Sequence, residues 1–474
     1  MAGEDLPLPD DLKPGSAGDR TDAVLKTTER YREMNSNLPH PETLTDSAAL
    51  YRRALDVMPG GNTRSTAYES PHPLYLASGS GAYVRDVDGR QYLDLQNNFT
   101  TLIHGHCHAA TVEALQRQLS LGTCFSNPTQ AEVELAEILC ERVPHFEHLR
   151  FMNTGTEAVM TAIKAARALT GRAKVAKCEG AYHGSYDLAE VSLDSTPETW
   201  GEDRPRQVAL NIGTPRSVLE EAVVLPFNDV SATEEILTAA LPDLAAILID
   251  PMPSRMGLVA AQGEYLAFLS DFAKRHEVIL ISDEVLNFRL GYHGAAAELG
   301  FEPDLTTFGK IVGGGLPIGA VAGRREAMAV FDPSKGKPWV SHAGTFTANP
   351  MSMVAGIAAM RAMTPEAFDR LNALGELARR GLQQAFEDSG VAGQVTGQGS
   401  LFLFHLKTAE LRSYRAAYRD PAERARILGL VQRIRDRGVL LSPIGLGALS
   451  TSMTSEDVNR LVEAARHALR HLDS

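Results

Sequence analysis

Val278-Ile279-Leu280-Ile281-Ser282-Asp283-Glu284-Val285 decides the fold: a short apolar run closes on a pair of carboxylates. An all-apolar run of this length reads as a strand buried on both faces, as in a parallel sheet covered by helices. Other runs repeat the pattern: Leu149-Arg150-Phe151-Met152, Lys174-Val175-Ala176-Lys177 and Ala246-Ile247-Leu248-Ile249. Longer helical patterns separate them, including Thr129 to Val143, where Thr129-x-x-Glu132 predicts a capping box, and Gly263 to Arg275. Alternation of this kind implies an α/β protein with a mostly parallel sheet.

Outside this core the texture changes. Residues 1 to about 45 mix Pro, Gly, Asp and Ser around one helical pattern, Thr21 to Met34, and read as an N-terminal arm. A helical pattern from Ser47 to Val57 leads into Pro59-Gly60-Gly61, and strand-like Tyr83–Asp86 and Gln91–Leu95 flank the turn signal Asp88-Gly89. The last hundred residues turn helical over Phe368 to Asp388, Pro421 to Arg437 and Ser455 to Leu472, interrupted by strand-like Ser400 to Leu406. The expected division is an arm over 1–45, a small α+β domain from 46–100 and 355–474, and a large domain over 101–354. At 474 residues, more than one lobe is expected, since single cores stop growing at roughly 250 to 300 residues.

Composition narrows the function. Acidic residues outnumber basic ones, 59 to 46, which argues against an extended surface for nucleic acid or anionic lipid. Cys107, Cys124, Cys140 and Cys178 form no C-x-x-C pair and are too sparse for a disulfide framework, so reduced thiols and a cytoplasmic setting are expected. Met1 to Asp11 lack the basic and apolar regions of a secretory signal, and no run approaches the roughly 20 apolar residues of a membrane span. Gly313-Gly314-Gly315 lacks the G-x-G-x-x-G spacing of a dinucleotide loop. His104-Gly105-His106-Cys107-His108 has no companion pair at zinc spacing, so a turn or helix entry is expected there and no metal.

In open parallel sheets ligands sit beyond the carboxyl ends of the strands. The residues at those ends are Asn153-Thr154-Gly155-Thr156-Glu157, Gly180-Ala181-Tyr182-His183-Gly184, Asp250-Pro251, Asp283-Glu284-Val285 and Thr306-Thr307-Phe308-Gly309-Lys310. Gly155-Thr156 opens a helix whose free N–H groups suit a phosphate, or serves as a plain N-cap. Asp283, at a buried strand end, needs a cation; a protonated pyridine nitrogen would serve, as would a structural arginine. Lys310, between apolar residues and three glycines, could be an amine nucleophile of depressed pKa or a solvated loop charge.

Together, these residues resemble the class III, fold type I, pyridoxal phosphate aminotransferases, from about Pro59 to the C-terminus. Phe288-Arg289-Leu290 and the run Pro303 to Ala320 look like the branch that holds glutamate-1-semialdehyde aminomutases and β-amino-acid aminotransferases. The resemblance makes Lys310 the Schiff-base lysine and Asp283 the partner of the pyridine nitrogen, with Val285 on one ring face and Tyr182 on the other. It adds His183 to the cofactor site, gives the phosphate to Gly155 and Thr156, and has Thr345 reach over from a second subunit, implying a homodimer. Lys310, Asp283 and Tyr182 are the catalytic residues it implies.

Some positions depart from that pattern. Asp250 stands where Glu is usual, Leu286 where some members carry Gln, and Ser442-Pro443-Ile444-Gly445 lacks an arginine that grips an α-carboxylate in many relatives. Arg64 matches an arginine that binds a substrate carboxylate through a bidentate fork. The implied reaction moves an amino group from an amine or amino acid, with β-amino acids favoured, to a keto acid or other carbonyl by a ping-pong mechanism. An intramolecular aminomutase and a non-catalytic cofactor-binding protein are the alternatives.

Overall fold

The computed structural model describes residues 45–472, which fall into two units: 45–78 with 85–90, and 79–84 with 91–472. The arm expected over 1–45 and its helical pattern lie almost wholly outside the described residues.

In the smaller unit a helix runs over Asp46–Leu55, capped by Thr45, whose side chain accepts from the Ala48 N–H. The Ser47 hydroxyl donates to Asp88 Oδ2 at 2.5 Å, tying this helix to the Asp88-Gly89 turn. Across that turn the Asp86 N–H donates to the Arg90 carbonyl at 3.0 Å. Gly61 has φ +72°, and a Cβ there would fall 2.5 Å from Tyr51 Cε2, so the Pro59-Gly60-Gly61 bend requires glycine. Strands β1 (Leu76–Ser80) and β2 (Tyr83–Asp86) each carry residues of both units.

The larger unit holds β3 (Gln91–Asp94), β4 (His148–Met152), β5 (Lys174–Cys178), β6 (Ala222–Leu225), β7 (Leu244–Ile249), β8 (Ile279–Asp283), β9 (Leu305–Gly309) and β10 (Gly319–Gly323). β4 to β10 form one seven-stranded sheet in the order β4-β10-β9-β8-β7-β5-β6. β10 runs antiparallel to both neighbours, and every other pair is parallel. The expected mostly parallel sheet is therefore present. β10 is made of Gly, Ala and Val, and its two end glycines have no room for a side chain: a Cβ on Gly319 would lie 2.0 Å from the Thr154 carbonyl oxygen and one on Gly323 2.4 Å from that of Asp304.

Both sheet faces are covered, as the unbroken apolar runs require. Every residue of β7 is buried. Ile247 and Ile249 join Tyr265, Leu266 and Leu269 of the helix Gly263–His276. Ala246 and Leu248 point the other way, to Ala158, Val159, Ala162 and Ile163 of the helix Gly155–Thr170. That helix is capped at both ends, by Thr154 accepting from the Glu157 N–H and by left-handed Gly171.

One local expectation fails. Thr129 is the N-cap of the helix Gln130–Arg142, but its side chain makes no cap hydrogen bond. Its hydroxyl is buried without a partner among the described residues, and the Glu132 N–H donates instead to the Thr129 carbonyl at 3.2 Å. Burial raises the Glu132 carboxyl pKa against a hydrogen bond with the Thr129 backbone, so the glutamate half of the box reaches back to the cap while the threonine half does not form. A capping box does form at the last helix, Ser455–Arg470, between Thr454 and Asp457.

The C-terminal region adds β11 (Gln394–Thr396), β12 (Leu401–His405), β13 (Val439–Leu440) and β14 (Leu446–Ala448). β11, β12 and β14 make a three-stranded antiparallel sheet, and β13 pairs in parallel with β3. The helices Pro365–Ser389 and Ser455–Arg470 pack against each other. Among the described residues no helix is long and apolar enough to cross a membrane.

Candidate active site

The sheet delivers its chemistry at the carboxyl ends of the strands, as open parallel sheets do. Asp283 ends β8, Lys310 follows β9, Gly155 and Thr156 follow β4, Tyr182 and His183 follow β5, and Asp250 follows β7.

Asp283 is buried, with 4% of its surface exposed. Oδ1 accepts from the Val285 N–H at 3.1 Å and the Thr307 hydroxyl at 3.2 Å, and Oδ2 lies 2.7 Å from His183 Nδ1. Burial lowers the His183 pKa, against the pull of Asp283, so the ring is neutral at ordinary pH and donates from Nδ1. Its Nε2 is buried without a partner among the described residues. Among the described residues the buried carboxylate therefore has a neutral donor and no arginine or lysine at ion-pair distance, a costly state that a cation in the site would relieve.

Lys310 has φ +47°, the left-handed region a non-glycine residue adopts only when its surroundings hold it there. A short 3-10 turn begins at Lys310 and ends against left-handed Gly314. Burial pulls its pKa from 10.5 to about 8, opposed by the charges of Asp283 and Asp250. Asp250 is pushed the other way, from 3.8 to about 8, first by burial and then by Asp283. Its Oδ1 accepts from Asn287 Nδ2 at 2.5 Å and the Met252 N–H at 2.9 Å.

The phosphate residues expected from sequence also meet here. Gly155 and Thr156 stand in the first turn of a 16-residue helix, where N–H groups lack intrahelical acceptors and the dipole favours an anion. Gly155 is packed on Val285: a Cβ would fall 2.8 Å from Val285 Cγ1. The loop after β5 closes against the same turn, since the Ser185 N–H donates to Thr156 Oγ1 at 3.2 Å and a Cβ on Gly184 would sit 2.5 Å from that oxygen.

Tyr182 and Thr345 make no hydrogen bond to this network among the described residues. Tyr182 is half exposed and makes no hydrogen bond among the described residues. Thr345 is exposed, its carbonyl 3.9 Å from Cys124 Sγ. Arg64 belongs to the smaller unit, exposed at the N-cap of the short turn Ser65–Ala67.

Two functional positions escaped the sequence reading. The carboxylate of Glu284 is buried and accepts from the Ala295 N–H at 2.6 Å and the Ala296 N–H at 3.0 Å, so it caps the short helix Gly294–Leu299 and steadies the loop after Asp283. Arg289 is fully buried and donates to Ser400 Oγ at 3.0 Å and to the carbonyls of Thr100 and Leu449 at 2.8 and 2.5 Å. Arg289 thus pins three segments distant in sequence beneath the site. An unbroken acidic pair after an apolar strand was the available signal for Glu284; for Arg289 it was the Phe288-Arg289-Leu290 motif, which gave no hint of its partners, the Ser400 hydroxyl and two backbone carbonyls. In the His104–His108 run, His104 bonds the Ala359 carbonyl and the Thr451 hydroxyl, His106 bonds Asp94, and His108 N-caps the helix Ala109–Leu119.

These features fit pyridoxal 5'-phosphate. A buried aspartate without a cation suits the pyridine nitrogen, the helix opening suits the phosphate, and a partly desolvated lysine suits the aldehyde. Fold and site thus define a pyridoxal phosphate enzyme of fold type I. The profile of the class-III aminotransferases matches residues 65–469, and the chain belongs to that family. Over 429 residues it is 38% identical to a glutamate-1-semialdehyde 2,1-aminomutase of Methanothermobacter thermautotrophicus, covering 90% of this chain and 99% of that one. An omega-transaminase from Sphaerobacter thermophilus superposes with a TM-score of 0.90 at 47% identity, covering 91% of this chain and 99% of that one. A β-phenylalanine aminotransferase from Variovorax paradoxus gives 0.80 at 33% identity, covering 94% and 96%. The chain is therefore a transaminase-class enzyme that uses pyridoxal phosphate.

Proposed function

We propose that the enzyme moves the amino group of a β-amino acid to a keto acid or another carbonyl acceptor by a ping-pong mechanism. The observation that carries the chemistry is the pairing of Asp283, buried without a cation, with the desolvated amine of Lys310. Similarity to the β-phenylalanine aminotransferase supports the choice of donor.

When bound, the cofactor supplies the electron sink. Asp283 would hold the ring nitrogen in its protonated form, with His183 Nδ1–H fixing the orientation of the carboxylate. Gly155 and Thr156 would hold the phosphate, Val285 and Tyr182 the two ring faces, and Lys310 the aldehyde carbon. Lys310 Nζ would take the proton from the amine-bearing carbon of the donor and deliver it to the carbon that the lysine had held. A pKa of about 8 leaves roughly a tenth of that amine unprotonated at pH 7, far more than an ordinary lysine would offer as a general base.

Thr345 would complete the site from a second subunit. A homodimer is supported by exposed Phe125 and Phe346, which lie on segments joined by the Asn349 Nδ2 to Thr123 carbonyl bond at 3.1 Å. A small and a large domain, divided as the sequence suggests, and a reducing cytoplasmic setting belong to the same reading. The four free thiols support the latter.

The second reading is an aminomutase, favoured by the 38% identity to an enzyme of that name. Incubating the holoenzyme with 3-amino-3-phenylpropanoate and 2-oxoglutarate separates the two. Transamination predicts a 3-oxo acid and glutamate, and no turnover of the donor alone. If glutamate 1-semialdehyde, given without an acceptor, is converted to an isomer with the amine on the neighbouring carbon, the aminomutase reading takes its place. Arg64→Ala is expected to raise KM for acidic donors about tenfold or more; equal rates on every acid would remove Arg64 from the substrate's carboxylate.

A further inference from the structure

A second cavity of about 340 Å³ opens in the larger unit, between the loop after β7 and the C-terminal segments around Tyr418 and Ile444. None of the residues that assemble around Asp283 and Lys310 lines it. Its size falls in the range of small-molecule pockets, roughly 300 to 1,000 Å³.

Charge on its wall is unbalanced. Arg255 is paired with Asp194, the one acid lining the cavity, at 2.7 Å. Glu423, whose charge reaches Arg419, is itself paired with Lys407 at 3.0 Å. Arg419 and Arg424 make no ion pair among the described residues. Arg419 is held in place by the Ile444 carbonyl, to which Nη1 donates at 2.7 Å, and by the Phe404 carbonyl. Burial lowers its pKa to about 10, so it remains a cation at neutral pH. Arg424 lies with its guanidinium 5.5 Å from the centre of the Tyr418 ring, donating from Nε to the Arg419 carbonyl at 2.9 Å and from Nη2 to the Tyr418 hydroxyl at 3.2 Å. Two fixed guanidinium groups therefore line one cavity, Arg424 with no ion pair among the described residues and Arg419 answered only beyond ion-pair distance by Glu423, while Ile427, Leu428 and Ile444 supply an apolar wall.

We propose that this cavity is a second ligand site that takes a small carboxylate with an aromatic or aliphatic body, the carboxylate against Arg419 and Arg424 and the body against the apolar wall. A planar guanidinium held by backbone carbonyls and another stacked on an aromatic ring are preorganised for a carboxylate, and less ordering is required on binding than for a lysine. The proposal does not depend on which substrate the catalytic site accepts.

Equilibrium dialysis of the holoenzyme with 3-phenylpropanoate, which has no amine to donate, tests it. The intact enzyme is expected to bind the acid at this site and to bind neutral 3-phenylpropanamide there at least about tenfold more weakly. Arg424→Ala, at an exposed position, and Leu428→Glu, which brings a negative charge to the rim, should each weaken that class of site by a similar factor. Binding unchanged in both variants would place the acid elsewhere, and an amide that binds as tightly as the acid would remove the anion recognition; either result overturns the proposal.

Discussion

Two lysines of the larger unit, Lys177 and Lys310, have their pKa values pulled from 10.5 to about 7 and about 8, both chiefly by burial. Desolvation alone would nominate either as the reactive amine. Their surroundings separate them. Lys177 sits within β5, and Nζ donates to the Val191 carbonyl at 2.7 Å and the Cys178 carbonyl at 3.3 Å, so its donors are committed to backbone. Lys310 stands just past a strand end, in a strained backbone conformation, facing the charges of two carboxylates across the site. A depressed pKa marks burial; a reactive amine also needs access and an uncommitted nitrogen.

The largest effect should come from Lys310→Ala, expected to lower transamination by at least about a thousandfold, read by steady-state kinetics with the cofactor in excess. Equal loss in Lys177→Met would erase the distinction drawn between the two lysines. Next, Asp283→Asn should cost roughly a hundredfold or more by weakening the hold on the protonated ring nitrogen, with the cofactor absorbance shifted as a second readout. For Lys177 the effect is on stability. Its folded pKa is depressed, so between about 7 and 10.5 the unfolded chain binds the extra proton and stability rises with pH. Lys177→Met should remove up to about 1.4 kcal/mol per pH unit of that slope, measured as the urea midpoint at pH 7 and pH 9. Asp250 has the opposite sign: its folded pKa is raised, so its contribution is complete below 3.8 and lost as pH rises to about 8. Asp250→Asn should flatten that decline, which Asn287 and the Met252 N–H already moderate by supporting the charged form. A pH profile identical to that of the unmodified protein would mean that Asp250 is ionised in the fold.

The strands were most legible where burial on both faces forces an unbroken apolar run, as in β7 and the start of β8. β10 was not, because its two glycines are imposed by backbone that approaches from distant segments, Thr154 at Gly319 and Asp304 at Gly323, a constraint no local pattern carries. The capping box at Thr129 misread a local motif whose hydroxyl tertiary packing turns inward. At the site, Lys310, Asp283, Gly155 and Thr156 drew notice by their places at strand ends, and only the family resemblance gave them roles. The His183 contact with Asp283 joins residues 100 positions apart. Arg289 reaches Thr100, Ser400 and Leu449 through bonds that leave no trace in side-chain type.

The sequence by itself determined the alternation of buried strands and helices, and with it the end of the sheet at which Asp283 and Lys310 emerge, because periodicity and burial act along the chain. Only the tertiary structure decided which buried lysine keeps an uncommitted nitrogen, which carboxylate lacks a cation and which arginines face a cavity unpaired. Those properties depend on what lies within a few ångströms across the fold, where charge, solvent and hydrogen-bond partners come from segments that the order of residues does not bring together.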